Sequence, residues 1–219
     1  MYSTLKEITK EEIYNMTTRQ RVELFEELLR STKRDGIDNV IEYIKTTDFF
    51  TAPASTSHHS NCEGGLLIHS LLVYSIMVQL YKAAAFVKPN IFESITEDNI
   101  IIVSLLHDIC KINTYTKGTK NVKDETGWKA VETYNYTEEF PYGHGEKSVL
   151  FLTTLGLKLE PNELLAIRWH MGNWDLPWGT TQKSYITARL KTPLVVLITS
   201  ADDMSSVLLE DVYKPRVIG

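Results

Sequence analysis

Six polar side chains in this chain stand where buried apolar residues would be expected: His69, His107, Asp108, His144, His170 and Asp202. The clearest case is His107-Asp108, which ends the apolar run Ile100–Leu106. Burying an imidazole and a carboxylate is costly unless they are paired or bind a metal. Taken singly, each has an ordinary explanation: His107-Asp108 as a hydrogen-bonded helix end, His69 as a satisfied core histidine. Four such histidines and two carboxylates are hard to satisfy separately inside a chain of 219 residues. One shared metal centre satisfies them together, with neutral imidazole nitrogens as donors and aspartates lowering the charge of the site.

The elements that must position these groups are mostly helical. Residues 9–31 read as a pair of helices. Thr9 and Glu12 have capping-box spacing, and Val22, Leu24, Phe25, Leu28 and Leu29 form an apolar stripe. Ile37, Val40, Ile41 and Ile44 give a further short amphipathic helix. The small-residue loop 47–65 carries His58 and His59 and ends in Gly64-Gly65. A long helix from Leu66 to about Phe86 then carries His69 in its first turns. Thr96 caps the helix that ends at His107-Asp108, and Asp98 and Glu97 favour its positive end. Lys129–Tyr136 alternates like a strand and 124–127 looks like a turn, which predicts a β-hairpin inserted around residues 112–140. Its first arm is basic, with Lys117, Lys120 and Lys123 after Lys111: a solvated arm, or a flap over an anionic substrate. His144 begins a helix running to about Leu155, with Gly156 at its end. Pro161 opens the helix that carries Arg168 and His170. A Trp-, Gly- and Pro-rich loop and a short helix over 185–190 follow. Thr192-Pro193 then starts an apolar helix that meets Asp202-Asp203. Those two aspartates sit ~100° apart on a helix, which argues against both being ligands.

The sum is an all-α bundle of about eight helices with one small β-hairpin, read as one domain over residues 1–219: a helical scaffold to residue 50 and a core over 55–205. Composition is that of a soluble globular chain, with 43% hydrophobic and 23% charged residues. A net charge of -5 argues against a dedicated duplex-DNA binder. Two cysteines, Cys62 and Cys110, make neither a disulfide framework nor a zinc-cysteine cluster and suit a reducing compartment. The N-terminus has no apolar signal region, and no run reaches the ~18 apolar residues of a membrane span. A cytoplasmic protein without a membrane partner is expected. Oligomeric state is silent.

The order of His69, then Leu105-Leu-His-Asp-Ile-Cys-Lys111, then Ala201-Asp202 resembles the HD-domain superfamily of metal-dependent phosphohydrolases over roughly residues 55–205. The stretch Gly64-Gly-Leu-Leu-Ile-His-Ser70 is similar to the HD domain of bacterial 3′→5′ exoribonucleases, which also have histidines just upstream. Cys110 stands where the family often has glycine, and no nucleic-acid-binding module precedes the helical core. The resemblance implies that His69, His107, Asp108 and Asp202 bind one divalent cation and that Asp108 bridges to a second held by His144 and His170. The His-rich set favours Mn, Fe, Co, Ni or Zn over Mg, which prefers oxygen ligands. Bound ions activate water and polarise a phosphoryl oxygen, and two ions ~3.5–4 Å apart hold both partners.

Around that chemistry the sequence offers candidates for supporting roles. Lys111 neutralises charge on the phosphate, or only complements its helix end. His58 and His59 act as proton donors or substrate contacts. Arg168, two positions before His170, points elsewhere on its helix or contacts a phosphate, Tyr142, Trp174 and Trp178 stack on a base or pack their loop, and Glu146 is a candidate to orient a histidine. The expected activity is hydrolysis of a phosphate ester, most simply of a nucleotide. A 3′→5′ nuclease on single-stranded RNA or DNA and a non-catalytic nucleotide-binding regulatory domain are the alternatives.

Overall fold

A computed structural model describes residues 4–125, 127–175 and 182–212. Among these residues there are nine α-helices and one two-stranded antiparallel sheet. The helices are α1 (Lys10–Asn15), α2 (Thr18–Ser31), α3 (Ile37–Lys45), α4 (Gly65–Val87), α5 (Glu97–Leu106), α6 (His144–Thr154), α7 (Pro161–Trp169), α8 (Gln182–Lys191) and α9 (Pro193–Met204). The hairpin strands are β1 (Tyr115–Asp124) and β2 (Gly127–Tyr136), in register from Tyr115 opposite Tyr136. The all-helical architecture with a hairpin insertion is therefore the one expected. The hairpin lysines Lys117, Lys120 and Lys123 are exposed, and Lys117 pairs with Glu63 at 3.0 Å.

Local signals set the helix starts. Thr9 with Glu12, Thr17 with Gln20 and Thr96 with Asn99 each form a reciprocal capping box. Pro161 and Pro193 occupy first-turn positions. α4 is the central column and packs against α1, α2, α5 and α9. It is long and apolar enough to cross a bilayer by length and composition, contrary to the expectation that no such run exists. Here its Leu66, Leu71, Leu72, Tyr74 and Met77 lie fully buried in a hydrophobic core that extends from Leu5 to Ala201.

Two features of the packing place the site. α5 and α7 run side by side in the same direction, and their N-termini are stapled together. Buried Asn99 donates to Glu160 at 3.0 Å and to Glu163 at 2.9 Å, and Arg34 donates to both oxygens of Glu163. With 10 and 9 residues the two helices are about 15 and about 14 Å long. Their C-terminal residues His107 and His170 consequently arrive at the same level, ring centroids 4.8 Å apart. Secondly, α6 and α7 approach closely at Gly145, where a Cβ would sit 2.2 Å from the Arg168 carbonyl oxygen. Only glycine lets α6 bring His144 against His170.

Candidate metal centre

The six predicted ligands converge. His69 Nε2 lies 3.1 Å from His107 Nε2 and 3.3 Å from both Asp108 Oδ2 and Asp202 Oδ1. On the other side, Asp108 Oδ1 lies 2.7 Å from His144 Nε2 and 3.4 Å from His170 Nε2. The Asp108 carboxylate thus divides its two oxygens between two donor sets. Asp203 is exposed, as the helical angle between the two aspartates requires.

The tautomers follow from acceptor-only partners. His107 Nδ1 donates to the Ser104 carbonyl at 2.9 Å and His170 Nδ1 to the Ile167 carbonyl at 2.7 Å. His69 Nδ1 donates to Glu210 Oε1 at 2.6 Å. His107 and His170 are each left with an Nε2 lone pair aimed at the cluster, and Glu210 turns the His69 Nε2 the same way, which is how second partners present a histidine to a metal. Burial pushes the His107 pKa down to about 3, so that ring is a neutral donor. Burial alone would raise the Asp108 pKa, but the Lys111 ammonium beside it and the hydrogen bond with His144 hold it well below the usual carboxylate range.

The donor set fits a divalent cation. Metal bonds of ~2.0–2.2 Å to nitrogen and oxygen separate neighbouring donors by about 3.0–3.4 Å. The distances around His69 and between Asp108 and His170 fall in that range. His170 Nε2 is buried and has no hydrogen-bond partner, a costly state for a core nitrogen unless a cation takes its lone pair.

The supporting residues distribute unevenly. Lys111 is mostly buried, pairs with Asp108 Oδ2 at 2.8 Å and donates to the Ala54 carbonyl at 2.8 Å. It holds the Asp108 carboxylate and the loop before α4. His59 stacks on His69, centroids 5.2 Å apart and 21° from parallel. Burial pushes its pKa down to about 4, so the ring is neutral at neutral pH. His58 is exposed and is not part of the cluster. Arg168 pairs with Glu146 and lies over the Trp169 ring at 4.1 Å, contacts that hold the guanidinium beside α6. Tyr142 is exposed and stacks on Phe140. Trp174 is exposed rather than packed into its loop, and Trp178 lies outside the described residues.

One residue escaped the sequence reading. After α9 the chain makes a π-helical turn, Ser205–Leu209, that returns Glu210 to the core. Its side chain is fully buried and holds His69, and Ser205 Oγ donates to the same oxygen at 2.7 Å. The available signal was an acidic residue next to an apolar stretch, Val207-Leu-Leu209, the same oddity that marks Asp108.

Fold and site together define a helical domain built around a cluster of histidines and aspartates that could hold a metal. Residues 66–206 match the HD domain family, and the chain belongs to it. HD domains bind divalent metals and carry metal-dependent phosphohydrolase chemistry in general, acting on phosphate esters. Neither the curated proteins nor the solved structures contain a match to this chain.

Proposed function

We propose that the protein hydrolyses the phosphate ester of a nucleotide at two divalent cations that share Asp108. The observation that carries this reading is the split carboxylate: Oδ2 faces His69 and Lys111, and Oδ1 faces His144 and His170. His69, His107, Asp108 and Asp202 would hold one cation and Asp108, His144 and His170 the other. Such cations supply an activated water and polarise the phosphoryl oxygen. The chain's own contribution is positional and electrostatic. Glu210, Ser104 and Ile167 fix three imidazoles, Lys111 keeps Asp108 ionised, and neutral His59 beside His69 is placed to take a proton from water or substrate. The nucleotide assignment is the plainest substrate for a phosphoesterase flanked by exposed aromatic side chains, Phe140 and Tyr142, two to four residues before His144.

Phosphate release from a panel of nucleotides and sugar phosphates, with Mn²⁺, Co²⁺, Zn²⁺ or Mg²⁺, tests it. Turnover of a nucleotide that disappears in Asp108→Ala is expected. Metal binding with no turnover on any ester would replace it with a regulatory nucleotide-binding role. A second reading, a 3′→5′ nuclease on single-stranded nucleic acid, is favoured by the exposed lysines Lys117, Lys120 and Lys123 and by Trp128, 71% exposed, at the hairpin tip. Shortening of labelled oligonucleotides, with nucleotides left intact, would select it.

A further inference from the structure

We propose that one face of the β1–β2 hairpin is a track that binds a single nucleic-acid strand, with its inner end at the cation cluster. The track deepens the single-strand reading of the site and rests on it only for what happens at the cations.

Side chains opposite each other in an antiparallel pair share a face, and so do alternate residues along each strand. The register therefore gives the hairpin two unlike faces. Tyr115 opposite Tyr136, Lys117 opposite Tyr134 and Lys123 opposite Trp128 fall on one of them. All four aromatic residues of the two strands are on that face. The other face carries Lys120 opposite the buried Val131, and Val122 opposite Lys129. From the Tyr115–Tyr136 pair to the Lys123–Trp128 pair the aromatic face runs about 27 Å, at ~3.4 Å per residue. Its inner end adjoins the cluster. The Tyr115 hydroxyl donates to the Ala54 carbonyl at 3.3 Å, Lys111 donates to the same oxygen at 2.8 Å, and Lys111 pairs with Asp108 Oδ2 at 2.8 Å. Along the rest of the face Lys117, Lys123, Trp128 and Tyr136 are exposed.

Rings and ammonium groups side by side suit one polymer in particular. Each ring offers a stacking face to an unpaired base, and each lysine meets a phosphate of opposite charge. A duplex keeps its bases stacked inside and cannot use the rings. Packing within the hairpin explains less: it accounts for Tyr115 and Tyr136, whose ring centroids lie 5.6 Å apart, but leaves Trp128 71% exposed. Two carboxylates oppose the lysines. Glu132 stands on the same face opposite Thr119, and Glu63 pairs with Lys117 at 3.0 Å. That pair is 77% and 65% exposed, so a phosphate can replace Glu63 at little cost. The face is long enough for about four nucleotides, the short end of the range for folds that bind single strands.

Fluorescence anisotropy of a labelled single strand of about ten nucleotides tests this on the full-length Asp108→Ala chain, which leaves the strand intact. Binding is expected, tighter than to a duplex of the same sequence. The logarithm of affinity should fall with that of salt concentration at a slope of about -1.4, for two phosphates neutralised. Adding Lys117→Ala or Lys123→Ala should each reduce the slope by about 0.7. Adding Trp128→Ala should weaken binding about 5- to 150-fold, whereas Val122→Ala on the opposite face should leave it unchanged. A duplex bound as well as the single strand, or Trp128→Ala binding like Val122→Ala, would overturn the track. No strand bound at low salt, by a wild type that releases phosphate from nucleotides, would overturn it and leave the phosphohydrolase reading standing. A strand that binds through these residues but is not shortened by the metal-loaded wild type would support the track and remove the nuclease reading.

Discussion

Glu210 Oε1 accepts a hydrogen bond from His69 Nδ1 at 2.6 Å, joining the end of the chain's last described helical segment to the first turns of α4. Burial would raise the Glu210 pKa, yet the neighbouring His69 brings it down to about 2, so the carboxylate is ionised and fixes the ring with Nε2 toward the cluster. Glu210→Gln can still accept this bond but loses the charge. Metal affinity should fall about 10–100-fold with the helical circular dichroism unchanged, as measured by competitive metal titration. Unchanged affinity would reduce Glu210 to a packing role.

Metal affinity should rise with pH. Burial lowers the His69 pKa, but Glu210, Asp108 and Asp202 around it outweigh that and raise it well above the ordinary value. The proton on His69 therefore stabilises the metal-free fold. That contribution is complete below the unfolded pKa of ~6.5 and is lost as pH rises through the raised value. A cation must displace this proton, so affinity should climb about tenfold per pH unit for one proton released, then flatten. Isothermal titration in buffers of different ionisation enthalpy counts the protons. No release at neutral pH would contradict a protonated His69.

Gly145→Ala separates ligand placement from ligand chemistry. The new Cβ would meet the Arg168 carbonyl at 2.2 Å, so α6 must move from α7. His144 then leaves His170, and the variant should keep one ion and lose the second, by metal analysis after gel filtration. Retention of both would show that α6 yields without moving His144.

The far end of the bundle controls the fold. Glu163 is 0% exposed and is paired by Arg34, itself mostly buried. Arg34→Met leaves Glu163 charged and unpaired beneath Asn99 and should cost about 3–5 kcal/mol in denaturant unfolding. A loss below about 1 kcal/mol would mean that the staple between α5 and α7 is held by packing alone.

The cluster was legible in the sequence because His69, His107, Asp108, His144, His170 and Asp202 interrupt apolar helices, where a polar side chain needs a reason. The helices were legible for a related reason, since Thr96, Pro161 and Pro193 announce their starts. What stayed hidden depends on contacts between distant segments. Glu210 looks like a terminal acid until a π-helical turn brings it inward, 141 residues from His69. Asn99 and Glu163 read as ordinary first-turn residues, although they form the buried staple that levels His107 with His170. Arg168 and Glu146 each suited the site by type, and the pairing between them is a contact across two helices that their positions in the sequence do not announce.

The most direct measurement is the metal content of the wild type and of Asp108→Ala after loading with Zn²⁺ or Mn²⁺ and desalting. Because Asp108 Oδ1 and Oδ2 face different donor sets, two ions per chain are expected in the wild type and at most one in the variant. A wild type that binds none, or an Asp108→Ala chain that keeps two, would contradict a centre built on this one carboxylate.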